Sequence, residues 1–322
     1  MVKSLSKRIG NAVILLLAVL VLNFTLIHIA PGDPVEVLAG EMGGATPELL
    51  AELHADFGLD QPFHIQLFTY LGNVLHGNLG HSFYYDKPVT ELILDRMGAT
   101  LLLVITALLF ALLVGTALGV ASAQKRNSLL SNLVTILSLA GFSAPVFWIG
   151  IMLILLLSVA VPIFPIAGMA TADEPEGTFA YIFDVAQHLV LPVLTLASIY
   201  LAFYSRLSRA SMLEVLESDY IRTARAKGLS RFLVVYKHAL RNAVLPVVTF
   251  AGLQFAQVIS GAVLVETVFA WPGLGTLAFE SILRRDSPTL LGILFFSAVL
   301  VLIVNIVVDI AYRVIDPRIS AK

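Results

Sequence analysis

The residues that could do chemistry are few, and none is arranged for it. His54, His64, His76 and His81 share one polar stretch, and imidazole is a common metal ligand. Their spacing matches no metal set, however: there is no His-Glu-x-x-His, and the 322 residues include no cysteine. Solvated or locally hydrogen-bonded imidazoles are the commoner state, so no metal is expected. A phosphate-binding loop of the Walker type ends in Gly-Lys-Ser/Thr, and the one Lys-Ser pair, Lys3-Ser4, follows Val2. Without cysteine there is also no disulfide, thiolate site or thiol nucleophile. The chain reads as non-catalytic, with no cofactor of its own.

Polar side chains inside the oily runs are more informative, because a charge at mid-bilayer costs about 2.5–3.5 kcal/mol on insertion scales. Asp309 stands one helical turn before Arg313, a spacing that suits an ion pair. Glu266 closes an apolar run, either as a candidate outer gate or as a solvated end. Gln254, Gln257, Ser260 and Gly261 recur at helical spacing on one side of that run. Such a stripe suits either a water-filled pathway or hydrogen bonding between helices.

The largest charge feature is Ser218–Pro246, SDYIRTARAKGLSRFLVVYKHALRNAVLP. From Arg206 to Arg241 there are eight Lys/Arg and three acids, with long uncharged runs on both sides. The pattern predicts two short helices broken at Gly228, since Gly is favoured just past a helix end and Ser230 can cap the next start. A basic helix-Gly-helix between two apolar runs must sit in water or in the socket of a soluble partner.

The elements that position these residues are membrane spans. The chain is 58% hydrophobic and 13% charged, with mean hydropathy +0.90, against about 25% charged residues in soluble domains. A span needs about 20 apolar residues. Six candidates result: Ile9–Ala30, Thr100–Ala123, Leu130–Val159 (bent near Pro145), His188–Ser205 (containing Pro192), Asn242–Val265 and Ser287–Tyr312. The second carries Ala107, Ala111, Gly115, Gly119 and Ala123 every four residues, a stripe that lets another helix backbone approach closely.

Residues 31–98 are too polar to span, with ten acids and two bases. There, Thr46-Pro47-Glu48 predicts a capped helix start and Gly58 its end. Leu67, Leu71, Val74 and Leu75 predict an amphipathic helix at the interface. The loop after span three is also acidic, with Asp173, Glu174, Glu176 and Asp184. By the positive-inside rule, both termini and the basic stretch are cytoplasmic, which leaves 16 of the 20 bases inside. Three parts follow: 1–30 with the first span, the outer loop 31–98, and a five-span core 99–322 carrying a cytoplasmic loop over 206–241.

The basic stretch also carries a resemblance. Arg222-Thr223-Ala224-Arg225-Ala226-Lys227-Gly228, then His238-Ala239-Leu240-Arg241-Asn242-Ala243-Val244-Leu245-Pro246, resembles the cytoplasmic loop of ABC-transporter permeases of the dipeptide/oligopeptide/nickel group. Arg222 stands where the wider importer family has Glu, and Pro246 comes later than in the general pattern; both departures look like the peptide branch. Pro31-Gly32-Asp33-Pro34, Phe57-Gly58-Leu59-Asp60-Gln61-Pro62, Gly77-Asn78-Leu79-Gly80-His81-Ser82, Pro88-Val89, Trp271-Pro272-Gly273-Leu274-Gly275 and Asp316-Pro317-Arg318 are similar to the B-type subunit of that group.

The resemblance implies an all-α polytopic membrane protein of the type I ABC importer permease fold, in the bacterial cytoplasmic membrane. It implies a second related permease, two cytoplasmic ATPases holding ATP and Mg, and an extracytoplasmic substrate-binding protein. No nucleic acid is implied. Asp219, Tyr220, Arg222, Thr223, Ala224, Arg225, Ala226, Lys227 and Gly228 would form the helix that couples to an ATPase. The implied cargo is a di- or oligopeptide. A nickel chelate, glutathione, an opine or a sugar on the same machinery is the alternative, and an ion-coupled secondary transporter is the rival from another class.

Overall fold

The computed structural model describes residues 2–29, 32–41, 44, 46–82, 84–124, 128–172 and 177–315. Among the described residues there is no strand, only an isolated bridge between His81 and Pro88. The helices are α1 (Val2–Ile29), α2 (Pro34–Glu41), α3 (Pro47–Asp56), α4 (Phe63–Leu75), α5 (Val89–Gln124), α6 (Leu129–Ser143), α7 (Val146–Ile154), α8 (Thr178–Leu216), α9 (Asp219–Ala226), α10 (Leu240–Ala243), α11 (Leu245–Val268), α12 (Leu274–Leu283) and α13 (Ser287–Ile315). Wider π-helical turns cover Leu155–Ala160 and Leu233–Ala239.

Among the described residues α5, α8 and α13 are long and apolar enough to cross a membrane. The pair α6–α7 makes a fourth if counted as one span. That pair is bent by 110° at Pro145, whose ring removes a backbone donor and disfavours helix at the residue before it. The bend expected near Pro145 is therefore a break between two helices, α6 and α7. Pro192, by contrast, sits inside an unbroken α8. The chain divides into two compact units, Met1–Gly98 with Thr276–Ile306, and Ala99–Gly275 with Val307–Lys322.

In the first unit, Phe24 of α1 stacks on Tyr70 of α4 at 5.3 Å and touches Phe63 at 5.5 Å between ring centroids. Thr46 caps α3 by accepting from Leu49 N, with Pro47 in the first turn, and Gly58 ends it at φ +65°. His54 donates from Nδ1 to Leu50 O and from Nε2 to Asp33 Oδ2, both at 2.7 Å. Asp33 Oδ1 in turn accepts from Val35 N at the start of α2. His76 bonds Gly72 O and His81 bonds Asp86. Among the described residues no His/Asp/Glu group could hold a metal. The loop before α5 is tied to the α12–α13 turn. Ser82 donates to buried Asp286 at 2.5 Å, and Tyr85 donates to Glu280 at 2.5 Å.

The second unit is built around α8, which packs with α6, α7 and α11 and takes α5 along one side. The small-residue stripe of α5 makes that seam. Ala107, Ala111 and Ala123 are buried. A Cβ at Gly115 would lie 2.9 Å from Leu201 O, and one at Gly119 would lie 2.5 Å from Ser205 O. These are backbone-to-backbone approaches that only glycine permits. α8 is also longer than its apolar run. Asp184, expected in an acidic loop, lies inside the helix and is buried, because Thr171 N and Oγ1 both donate to its carboxylate at 2.7 Å. Arg206 and Arg209, expected in the basic loop, also remain helical. Arg206 lies over the Phe142 ring at 5.2 Å and Arg209 donates to Ser131. The Asp309–Arg313 pair and Asp316-Pro317-Arg318 lie outside the described side chains.

Candidate functional site

The basic stretch folds as α9, a left-handed glycine and a second helical segment. Ser218 stands at the N-cap position of α9 with extended backbone. Gly228 ends the helix at φ +73°, its N–H bonding Arg225 O while Leu229 N reaches Ala224 O. A Cβ at 228 would meet nothing within 4 Å, so the constraint there is conformational rather than steric. Ser230 Oγ accepts from Leu233 N at 3.4 Å, the expected restart.

One face of α9 is internal. Ile221 and Ala224 are buried in a cluster with Val120, Ala123, Met212, Val234, Val235, Ala239 and Ala243. Asp219, Tyr220, Arg222, Thr223, Arg225, Ala226, Lys227 and Gly228 are exposed. Ala224, expected among the contact residues, therefore serves the chain's own core. Arg222 is paired with Asp219 at 3.3 Å, yet 73% of its side chain is exposed. The result is a short polar ridge on an apolar bed, presenting three cations, Arg222, Arg225 and Lys227.

The ridge is also braced. Tyr220 OH accepts from Asn242 Nδ2 at 2.8 Å, across 22 residues. Arg231 donates to Gln124 O at 2.8 Å, the last residue of α5, where a helix favours a cation. Sequence reading did not single out Asn242 or Gln124 as functional, since only tertiary proximity pairs them with the stretch.

The polar residues of α11 divide. Gln257 and Ser260 are exposed, while Gln254 and Gly261 are half-buried. Gly261 faces α8, where a Cβ would stand 3.5 Å from Leu196 Cδ1 and 3.8 Å from Tyr200 OH. The stripe thus runs from a packed edge at Gly261 to an open one at Gln257.

Glu266 is buried, with 0% relative exposure, which removes the solvated alternative. Its Oε1 accepts from Thr100 Oγ1 and its Oε2 from Gly275 N, both at 2.7 Å, and Thr100 Oγ1 accepts from Leu274 N. A Cβ at Gly273 would collide with the carboxylate. Trp271, also fully buried, donates from Nε1 to Ala99 O. Ala270 before it is held at φ +46°, a conformation that costs a non-glycine residue about 1–2 kcal/mol. Gly168 N donates to Phe269 O. Glu266 is therefore the centre of a knot joining α5, the end of α11 and the Trp271–Gly275 loop. Thr100 gave no sequence signal, being 166 residues away.

With this geometry in place, comparison with known proteins is informative. Residues 115–321 match the model of the binding-protein-dependent transport system inner membrane component, and residues 1–106 match that family's N-terminal membrane component. The chain is 41% identical to the dipeptide transport system permease protein DppB of Escherichia coli K12, covering 100% of both. It is 43% identical to the di/tripeptide transport system permease protein DppB of Pseudomonas aeruginosa UCBPP-PA14, covering 99% of both. A chain of the MetNI methionine ABC transporter, in an inward-facing conformation, superposes with a TM-score of 0.56 at 17% identity, over 70% of this chain and 97% of that one. That last likeness is one of fold. An all-helical membrane chain with these spans, matched from end to end, belongs to the family of binding-protein-dependent transport system inner membrane components.

Proposed function

We propose that this chain is the transmembrane permease subunit of an ATP-driven importer of di- and oligopeptides in the bacterial cytoplasmic membrane. The observation that carries the reading is end-to-end identity of 41–43% to permeases named for dipeptide and di/tripeptide transport. Six spans with both termini cytoplasmic agree with the distribution of bases. The chain forms half of the pathway, beside a second related permease. Two ATPases lie on the cytoplasmic side, and a substrate-binding protein delivers the peptide outside.

In this reading α9 is the coupling helix. Its exposed Asp219, Tyr220, Arg222, Thr223, Arg225, Ala226 and Lys227 rest in a groove of one ATPase, and Gly228 sets the angle to the following helix. ATP-driven closure of the ATPases moves α9 and switches the pathway from inward-open to outward-open. Gln254, Gln257 and Ser260 line that pathway with Gly261 at its packed edge, and the Glu266 knot fixes the outer end of α11 as part of the outer gate.

The test is purification of the chain in mild detergent from its native host. Co-purification of a second permease and of nucleotide-binding subunits, with ATPase activity stimulated by a binding protein, is expected. Gly228→Val forces a β-branched residue into a left-handed conformation. It is expected to leave assembly intact while lowering transport per ATP hydrolysed. A chain that purifies alone and transports without ATP overturns the reading.

A further inference from the structure

Besides the apolar cluster that Ile221 and Ala224 share with Ala239 and with Ala243 of α10, two directional routes connect α9 to α11. The covalent route runs through Gly228, held at φ +73°, and through the π-helical segment Leu233–Ala239. A π-turn is a rare departure from α-helical bonding, frequently found at functional sites. That route is a soft one for transmitting displacement. The second route is a single contact: Asn242 Nδ2 donates to Tyr220 OH at 2.8 Å. Tyr220 is in the first turn of α9, and Asn242 lies in α10, three residues before α11 begins at Leu245. The contact bypasses both the glycine and the π segment.

Resting on the importer reading above, we propose that Tyr220 and Asn242 are positioning residues for energy coupling: their hydrogen bond passes the movement of the coupling helix directly to the pathway helix α11. Arg231 supplies a separate anchor by donating to Gln124 O at the end of α5. That bond holds the segment after Gly228 in place while Tyr220 is displaced with α9. Neither Tyr220 nor Asn242 is buried, so their polar groups have no packing reason to be paired, and removing either leaves no orphaned group inside the protein.

The experiment uses the assembled complex in proteoliposomes, with labelled dipeptide as cargo, and reads peptide imported per ATP hydrolysed. A hydrogen bond of this kind contributes about two- to tenfold to an equilibrium. Tyr220→Phe and Asn242→Ala are each expected to lower the ratio by about that factor, and with Asn242→Ala, which lies outside the surface assigned to the ATPase, the ATPase subunits still co-purify in wild-type amount. The double variant is expected to be no worse than either single one, because both remove the same bond. Asn242→Asp can accept from the tyrosine hydroxyl, so it is expected to keep coupling beside Tyr220 and to lose it in the Y220F background. An unchanged ratio in Y220F, or additive losses in the double variant, overturns the proposal. A wild-type complex without ATP-driven uptake instead refutes the importer reading itself.

Discussion

Replacing Gly119 by alanine adds one methyl group at the tightest point of the α5–α8 seam. The new Cβ would stand 2.5 Å from Ser205 O, 2.6 Å from Ser208 Cβ and 3.0 Å from Arg209 N. Two of these three atoms are backbone, so no rotamer change relieves them. Ordinary contact begins at 3.4 Å, so the two helices must part by about 1 Å, at the expense of dispersion contacts along the seam. Overpacking of this kind costs about 1–3 kcal/mol. Replacing a helical glycine by alanine gains about 0.5–1 kcal/mol, leaving a net loss of up to about 2.5 kcal/mol. Gly98 lies in the same helix with nothing within 4 Å, so Gly98→Ala keeps the gain alone.

The assay is thermal unfolding of the detergent-solubilised protein, followed by the fluorescence of Trp148 and Trp271. At about 2–4 °C per kcal/mol for chains of this size, G119A is expected to lower the apparent midpoint by a few degrees. G98A is expected to match or exceed the wild type. Equal midpoints for the two variants, or a stabilised G119A, would refute the claim that this stripe brings backbones together.

Three further outcomes follow from the geometry. Glu266→Ala orphans the buried Gly275 N–H and Thr100 hydroxyl, at about 1–3 kcal/mol for each unsatisfied group. It should destabilise the protein and loosen the Trp271–Gly275 loop, read as faster hydrogen exchange there, with Glu266→Gln intermediate; wild-type exchange in the alanine variant would contradict the knot. His54 bonds two oxygen acceptors at once, so its protonated form fits best. The Leu50 carbonyl first and the Asp33 carboxylate second raise its pKa above the ordinary 6.5. The α2–α3 clamp is therefore fully present below pH 6.5 and is lost as pH rises through the raised value. Protection of residues 33–56 from exchange should fall with rising pH and lose that dependence in His54→Gln; flat protection in the wild type would count against the pair. Cysteine placed at Gln257 in this cysteine-free chain should react with a water-soluble thiol reagent in one nucleotide state of the complex, and cysteine at Gly261 should react poorly in all. Inaccessibility of position 257 in every state would favour helix packing over a pathway.

Local signals in the sequence anticipated local structure well. Thr46-Pro47 and Gly58 bracket α3, and Gly228 and Ser230 bracket the break after α9, because caps and left-handed turns depend on neighbouring residues. The four-residue stripe of α5 was legible for a similar reason: a helix face is a period. What misled was charge. Asp184, Arg206 and Arg209 end a hydropathy window, yet α8 runs through all three: Asp184 accepts from Thr171, Arg206 is exposed beside the Phe142 ring, and Arg209 donates to Ser131. Pro145 and Pro192 look alike in sequence but differ in effect, a break at one and an unbroken α8 at the other. The site was half legible. Charge density gave α9, but not that Ala224 turns inward. Glu266 was noticed as an end residue, while its partner Thr100 could be found only once α5 and α11 were side by side.

The most direct test of the central claim is uptake of a labelled dipeptide by proteoliposomes holding this chain with its co-purified permease, ATPases and binding protein. ATP and an imposed ion gradient are supplied separately. The account predicts uptake that requires ATP and the binding protein and is indifferent to the gradient. Uptake driven by the gradient with ATP absent would contradict it and make the chain a secondary transporter.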